Sequence, residues 1–384
     1  MSHITDEVVE FLRILRVLFF LAGITLPQIG FFFQWQVKSG LQSNDKQIDA
    51  PVLTASPDQW GKYVLDSRAY FNEQFGFRGD LIRLNSTIKF NWLGVAPNTK
   101  VAVGKQGWLY LGNYEESIVY GRNLRPFEQH ELDTWKRILE RRRDELKEKG
   151  IQYIFVLVPT AASIYPEYLP NWFTPANPKS RVDQLIEYMN EKSNVKILDL
   201  RPALLAAKGD IPLYYRTDSH WNPYGACIAH GPLIDALREW FPNIPPYSAN
   251  DFSVEKNPNM FYGDLLRVGG FSGVAGEDEI SVIPKQNRRA KRVTLDWGKE
   301  RDLERQPFAT EQDSDELPRA VIFRDSFFIA LQPFVSETFR RAVFVWQKEF
   351  SSIIVNDEEC DVVIQEMVDR FLLLPPPIDS YGRL

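Results

Sequence analysis

Short apolar runs that alternate with amphipathic stretches leave this chain few folds to adopt. Ile151–Val158 is apolar except for Gln152; it is too short to cross a bilayer and reads as a strand buried on both faces. Before it, Phe127 to Lys149 sets Leu132, Trp135, Leu139 and Leu146 near the 3.6-residue period with charges elsewhere, and Gly150 ends the pattern. Val182–Met189 repeats the helical pattern and Val195–Leu200 the strand pattern. The alternation continues through a helix to about Trp240 and strands at Val321, Ala342 and Asp361–Ile364. Such alternation predicts an α/β fold, a mainly parallel sheet flanked by helices on both faces. Ahead of it, a helical stem through Asn91 leads into a Gly-punctuated strand pair at Val101–Val103 and Trp108–Leu111. Between Asn250 and Pro318 the pattern breaks into a patch with Gly269, Gly270, Gly273 and Gly276, then charged sequence. This stretch, about 250–318, reads as an insertion of loops over the site.

The N-terminal segment follows different rules. Val17–Phe33 carries no charged residue, about 26 Å of helix at 1.5 Å per residue, the short limit for a membrane span. Arg13 and Arg16 precede the run and Lys38 follows it, a slight positive-inside bias that puts the N-terminus in the cytoplasm. Pro27 is tolerated in membrane helices. No small-x-small cleavage site follows, so an uncleaved anchor is expected rather than a signal peptide. The expected order is a cytoplasmic tail over 1–16, an N-terminal transmembrane helix over 17–37, a linker and helical stem over 38–104, and the α/β domain over 105–384. A net charge of -6 removes nucleic acid from the partners, because no basic excess is present to neutralise phosphates. Cys227 and Cys360 lie far apart without metal-type spacing and build neither a disulfide framework nor a zinc site.

Four histidines narrow the search for a base. His3 lies in the tail, His130 starts an amphipathic helix, and His230 shares a helical face with Ala226, Leu233 and Leu237. Only His220 combines a carboxylate two residues earlier, Asp218, with an aromatic shield, Trp221. In extended backbone those two side chains share a face about 7 Å apart, close enough for Asp218 to fold over the ring. The bond fixes the tautomer and leaves the other nitrogen free as a base. Asn222 and Pro223 then read as an N-cap and first helical residue, so the pair sits at a handover of the kind where α/β active sites collect. The base needs a proton donor. Val321, Ile322 and Phe323 run into Arg324, Asp325 and Ser326, a buried strand that ends in a serine before a helix through Phe328 and Leu331. Capping that helix is the plain role for Ser326; the same position would also place it in the positive end of the dipole, where a developing anion is stabilised.

Asp-x-His-Trp at 218–221 followed by Arg-Asp-Ser at 324–326 resembles the AlgX/AlgJ-type polysaccharide O-acetyltransferases. FNEQFGFR at 71–78, GKQGWLYL at 104–111, IYPEYLP at 164–170, Ala342–Trp346 before Gln347, and DVVIQEMVDRFL at 361–372 extend the likeness from about Phe71 onward. The resemblance implies an SGNH hydrolase-like domain, circularly permuted so that the Asp-x-His-Trp motif precedes the nucleophile. It implies Ser326 as nucleophile, His220 as base, Asp218 as the group that orients the ring, and neither metal nor cofactor. The acyl group would come from a membrane-bound O-acyltransferase partner and pass to hydroxyls of an exported or cell-surface polysaccharide. The domain would then lie on the periplasmic side of an inner membrane, held by a single-pass anchor.

For the oxyanion, the backbone N–H of Ser326 or Phe327 is expected as one donor; Thr160, in V-P-T-A-A-S, stands where relatives carry Asn. Arg324 replaces a common Gly, so the turn needs no glycine conformation there. Its guanidinium would meet a carboxylate on the acceptor or face solvent; with Trp221 it is the expected substrate contact. The chemistry is double displacement: His220 takes the Ser326 proton, Ser326 is acylated, and a sugar hydroxyl deprotonated by the same ring takes the acyl group. A metal hydrolase lacks a third ligand of matching spacing. An esterase shares every proposed residue, and a non-catalytic polysaccharide-binding scaffold would share the fold.

Overall fold

The computed structural model describes residues 2–32, 50–52, 59–74, 78–271, 274, 276–297 and 305–379. It divides into two compact units, Met1–Pro97 with Phe271–Gly273, and Asn98–Gly270 with Val274–Leu384. The first unit is helical: α1 (Ser2–Phe32), α2 (Trp60–Gln74) and α3 (Arg78–Thr87), the last running into a π-helical turn at Ile88–Trp92.

The transmembrane helix expected over 17–37 is not supported: no helix among the described residues is long and apolar enough to cross a membrane. Within α1 the charge-free part is Val17–Phe32, about 24 Å at 1.5 Å per residue against a hydrocarbon core of about 30 Å. Thr25 and Gln28 interrupt it, and the preceding turns carry Asp6, Glu7, Glu10, Arg13 and Arg16. Residues 33–37, most of the linker, and 75–77 of the FNEQFGFR motif lie outside the described residues.

In the second unit, β1 (Val101–Val103) and β2 (Leu109–Leu111) form the expected hairpin, with Val101 opposite Leu111. The remaining strands are β3 (Gln152–Val158), β4 (Lys196–Asp199), β5 (Phe252–Phe261), β6 (Glu277–Pro284), β7 (Lys291–Thr294), β8 (Phe308–Glu311), β9 (Arg319–Arg324), β10 (Arg341–Trp346) and β11 (Val362–Val368). The central sheet has the order β4-β3-β11-β9-β10-β8-β7. Its first five strands are parallel, while β8 runs antiparallel to β10 and β7 antiparallel to β8. The sheet is therefore mixed rather than simply parallel. The correction comes from the insertion, expected as loops, which supplies both antiparallel strands and the separate β5–β6 hairpin. Lys291–Thr294 is half charged and largely exposed at the sheet edge, so it carries no apolar run of the kind that marks a central strand.

The central strands obey the period of two. Ile154, Val156, Val158, Ile322 and Ile364 enter one apolar layer; Tyr153, Phe155, Leu157, Val321, Phe323 and Val363 enter the other. The second layer is closed by α4 (Gln129–Lys147), through Leu132, Trp135 and Leu139, and by α5 (Arg181–Lys192), through Val182, Leu185 and Met189. The first is closed by α6 (Pro223–Arg238), through Ala226, Leu233 and Leu237, and by α7 (Phe328–Val335), through Phe328 and Leu331. All seven residues of β11 are buried, Gln365 and Glu366 among them. Gln365 Oε1 is satisfied by the Tyr153 hydroxyl at 2.6 Å and Arg142 Nη1 at 3.0 Å. Because β3, β11 and β9 lie side by side and parallel, their C-terminal ends deliver Thr160, Asp369 with Arg370, and Ser326 to one edge of the sheet.

Candidate active site

The turn that carries Ser326 is built on a carboxylate. Asp325 Oδ1 accepts from the Phe327 N–H and Oδ2 from the Val368 N–H, each at 2.8 Å, so one side chain ties the turn after β9 to the end of β11. The Asp325 N–H in turn donates to Glu366 Oε2 at 2.9 Å. Glu366 is fully buried, and burial, reinforced by the charge of Asp325, raises its pKa well above the ordinary 4.5. Burial thus favours its neutral form. A carboxyl whose folded pKa is raised stabilises the fold below its unfolded value and loses that contribution as pH rises. Glu366→Gln should therefore raise Tm at neutral pH, with the gain shrinking as pH falls toward 4.5 and gone below it; an equal Tm difference from pH 4 to 8 in a thermal melt series would contradict this.

Arg324 shows how the turn does without glycine. No residue from 324 to 327 has positive φ. Its guanidinium is 1% exposed, donates to the Asp325 carbonyl at 3.2 Å, and lies over the Trp346 ring at 4.5 Å. The Gln332 carboxamide oxygen accepts from Nε and Nη2 at 3.1 and 3.2 Å. Arg324 therefore reaches neither the acceptor nor solvent: it packs beneath the nucleophile.

The loop that carries His220 is fastened at both ends. Behind it, Asn222 caps α6, its Oδ1 accepting from the Tyr224 and Gly225 N–H groups at 2.9 Å. Trp221 is 2% exposed, and its indole N–H donates to the Phe327 carbonyl at 2.8 Å, linking this loop to the nucleophile turn. Ahead of it, the N–H groups of Arg216 and Thr217 donate to the two oxygens of Glu277 at 2.8 Å. Gly263 passes so close that a Cβ there would lie 2.0 Å from the Thr217 carbonyl oxygen. Gly263→Ala should thus lower stability by about 1–3 kcal/mol; an unchanged denaturant midpoint would show that the loop yields without cost.

Three groups meet where these loops converge. His220 Nε2 lies 2.8 Å from Ser326 Oγ, and Nδ1 lies 2.8 Å from Asp218 Oδ1. Asp218 also accepts from the His220 N–H at 2.9 Å and, through Oδ2, from the Asp264 N–H at 2.8 Å. Burial alone would raise the Asp218 pKa; the His220 bond and charge, then the two backbone donors, outweigh it and hold the carboxylate below its usual range. For His220, burial pulls the pKa down, but Asp218 and then the Asp264 charge lift it above 6.5. Asp264 is itself pushed up by burial and by Asp218, while its carboxylate holds the Ser219 N–H at 2.7 Å and hydroxyl at 2.6 Å. Asp218, His220 and Asp264 offer ligand atoms within 4.8 Å of one another. Hydrogen bonds already account for that convergence, since both Asp218 oxygens and both ring nitrogens are engaged inside the protein.

His220 and Ser326 open into a groove of about 690 Å³ that Trp221, Phe261, Arg267 and Arg288 also line, in the range of small-molecule sites. Among the described residues nothing accepts from the Ser326 N–H, so it points to no internal partner. The Phe327 N–H is committed to Asp325, and the Thr160 N–H to Asp369 Oδ2 at 3.1 Å. Thr160 lines a separate small cavity with Asp218, Ser219 and Arg370. Arg370 was not legible as a site residue in the sequence. It is buried, Nη1 has no partner, and its charge opposes protonation of His220. Asp264 and Glu277 were missed as well, because both act from the insertion.

A family model described as SGNH hydrolase-like domain, acetyltransferase AlgX, matches residues 101–300, more than half of the chain and the portion that holds Asp218 and His220. The chain belongs to that family. Ser326 lies beyond the matched residues in this AlgX-family chain, so its place rests on the geometry alone. The protein named Probable alginate O-acetylase AlgJ from Pseudomonas syringae pv. tomato is 26% identical over 262 residues, 68% of this chain and 59% of that one. Its namesake from Pseudomonas putida is 34% identical over 175 residues, 44% of this chain and 43% of that one. The AlgX-family chain thus spans about three fifths or less of these curated relatives. Bacillus cereus PatB1 has a similar structure, with a TM-score of 0.50 and 16% identity over 72% of this chain and 97% of that one, a likeness of fold.

Proposed function

We propose that the chain is a serine-dependent O-acetyltransferase that moves an acetyl group onto hydroxyls of a polysaccharide. The observation that carries the reading is the continuous relay Ser326–His220–Asp218, each link at 2.8 Å, open to a groove large enough for sugar. In the first half-reaction His220 Nε2 takes the Ser326 proton as Oγ attacks the acetyl carbonyl. The tetrahedral oxyanion faces the free Ser326 N–H, a donor of a kind worth about 3 kcal/mol. Arg370 adds positive charge beside the pair. Collapse expels the donor's leaving group, which takes the proton from His220. A sugar hydroxyl then gives its proton to His220 and attacks the acetyl-serine, and Ser326 leaves as the alcohol with that proton restored.

Support for an exported or cell-surface acceptor comes from the name of the relatives, Probable alginate O-acetylase AlgJ. With such an acceptor the chain works outside the cytoplasm, on the periplasmic side of the inner membrane, and takes its acyl group from a membrane-bound O-acyltransferase. The apolar side chains of α1 exposed from Val8 to Ile29 are the surface available for membrane attachment; equal recovery in the membrane fraction after deletion of residues 2–32 would remove that role.

The decisive experiment incubates the protein with an activated acetyl ester and maps the acetyl mass. Label on Ser326, followed by acetylated oligosaccharide, is the expected result. Free acetate alone would make the chain an esterase, and sugar binding without a labelled serine would make it a scaffold.

A further inference from the structure

Glu115 and Glu116 lie between β2 and the short helix Ser117–Gly121, and both have positive φ, 48° and 54°. Among the described residues they are the only adjacent pair without glycine in that conformation. Side chains rarely adopt it, and it persists where the surroundings fix it. Two arginines do so here. Arg125 Nη2 donates to Glu116 Oε2 at 2.8 Å and to the Leu373 carbonyl at 3.4 Å. Arg370 Nε and Nη2 converge on Glu115 Oε2 at 3.4 and 3.3 Å. Arg370 and Leu373 both belong to the turn Asp369–Leu373 after β11, so the strained pair is fastened to the C-terminal edge of the sheet at two points.

That fastening decides where the Arg370 charge sits. The guanidinium is buried, with Cζ 5.7 Å from the centroid of the Phe327 ring, and the His220 ring lies 4.8 Å from the same centroid. Arg370 also shares a cavity of about 30 Å³ with Asp218 and Ser219, the two residues before His220. Three buried atoms of its lining residues, Arg370 Nη1, Ser117 Oγ and Thr160 Oγ1, have no protein partner, and a space of that size admits water to hydrate them. Among the charged groups around the imidazole, Asp218 and Asp264 favour its protonated form and Arg370 opposes it. Asp369, next to Arg370 in sequence, accepts instead from the Thr160 N–H and the Ser163 hydroxyl. Glu115 is therefore the carboxylate paired with Arg370.

We propose that Arg370 is a positioning residue for the reaction, its guanidinium keeping His220 neutral against the two carboxylates beside it, and that Glu115 seats this guanidinium from the left-handed turn. A neutral ring can take the Ser326 proton, whereas an imidazolium cannot; once formed, the imidazolium near a fixed positive charge yields its proton more readily to the leaving group. The inference rests on the proposed relay for its catalytic meaning, while the charge balance itself does not require turnover.

The test reads proton affinity as well as rate. In NMR titrations of the full chain with labelled histidines, the His220 signal, assigned through His220→Gln, should titrate roughly half a pH unit higher in Arg370→Gln. In Arg370→Lys, which keeps the charge, the midpoint should stay near that of the parent. Glu115→Ala gives opposite signs for two causes: loss of the carboxylate charge alone lowers the midpoint, while an unseated Arg370 raises it. A rise is expected, and the same substitution made in Arg370→Gln should produce no further rise. Glu115 is 42% exposed, so its variant reports even if the buried arginine tolerates no replacement. Acetyl transfer on the acid side of the pH limb should fall about threefold in Arg370→Gln and Glu115→Ala, as half a unit implies. An unmoved midpoint in Arg370→Gln, a lowered or unmoved one in Glu115→Ala, or a rise in Arg370→Lys equal to that in Arg370→Gln overturns the proposal. Should the Ser326 labelling fail while the midpoints move as expected, the seating of Arg370 stands and the acetyltransferase reading alone falls.

Discussion

Ser326→Ala and His220→Ala should each lower acetyl transfer from an activated ester by roughly 10⁴-fold or more, and the double variant should be no worse than the poorer single one. The reason is the 2.8 Å contact between Nε2 and Oγ. An alcohol is a weak nucleophile at neutral pH and gains its power only as the proton departs to the ring, so either deletion removes the whole step. Additive losses would mean that the two side chains act separately. The structural cost of Ser326→Ala should be small, because the turn is held by the Asp325 carboxylate and not by the serine hydroxyl. Thermal melts of the variant close to those of the parent would therefore assign the loss to chemistry. A variant that retains half the parent's rate would remove Ser326 from the mechanism.

The parts of this site that were legible in the sequence are those that local pattern encodes. Ile151–Val158 and Val321–Phe323 announce strands buried on both faces, and β3 and β9 bear that out. Asp218 and His220 are two residues apart, so their contact is a matter of local geometry. What joins them to Ser326 is topology: β9 beside β11 at the centre of the sheet, with the Trp221 indole bonded to the Phe327 carbonyl across the join. The insertion was opaque for the opposite reason. Phe308–Glu311 reads as four unremarkable residues, and only pairing with β10 buries three of them. Glu277 and Asp264 look like ordinary surface acids, yet they hold backbone N–H groups of the catalytic loop from 60 and 45 residues away. Arg324 misled because its type suggested an anion contact, while the Trp346 face and Gln332 amide beneath the turn provide a buried seat for it.

Asp218→Asn separates the orienting acid from the pair it serves. With an amide at position 218 the ring loses the carboxylate that lifts its pKa, and the tautomer that presents Nε2 as an acceptor is no longer enforced, so acetyl transfer should fall by roughly 10³- to 10⁴-fold. The pH profile should move as well. In the parent His220 works as a base only when neutral, and its pKa is raised above 6.5 chiefly because Asp218 overcomes the effect of burial. Activity should therefore climb with pH through a limb centred above 6.5. In the variant the burial that lowers the pKa and the opposing charge of Arg370 remain while the main lifting group is gone, so the limb should shift to lower pH. Asp264 limits the shift: its Oδ2 lies 3.9 Å from Nδ1 and still favours the imidazolium to the extent that it is ionised. Because burial and Asp218 raise the Asp264 pKa, removal of the Asp218 charge lets Asp264 ionise more readily and take over part of the orienting role. Asp264→Asn in the Asp218→Asn background should then cost further activity and move the limb down again. A limb that stays in place across the series would show that neither carboxylate sets the proton affinity of His220, whatever happens to the rate.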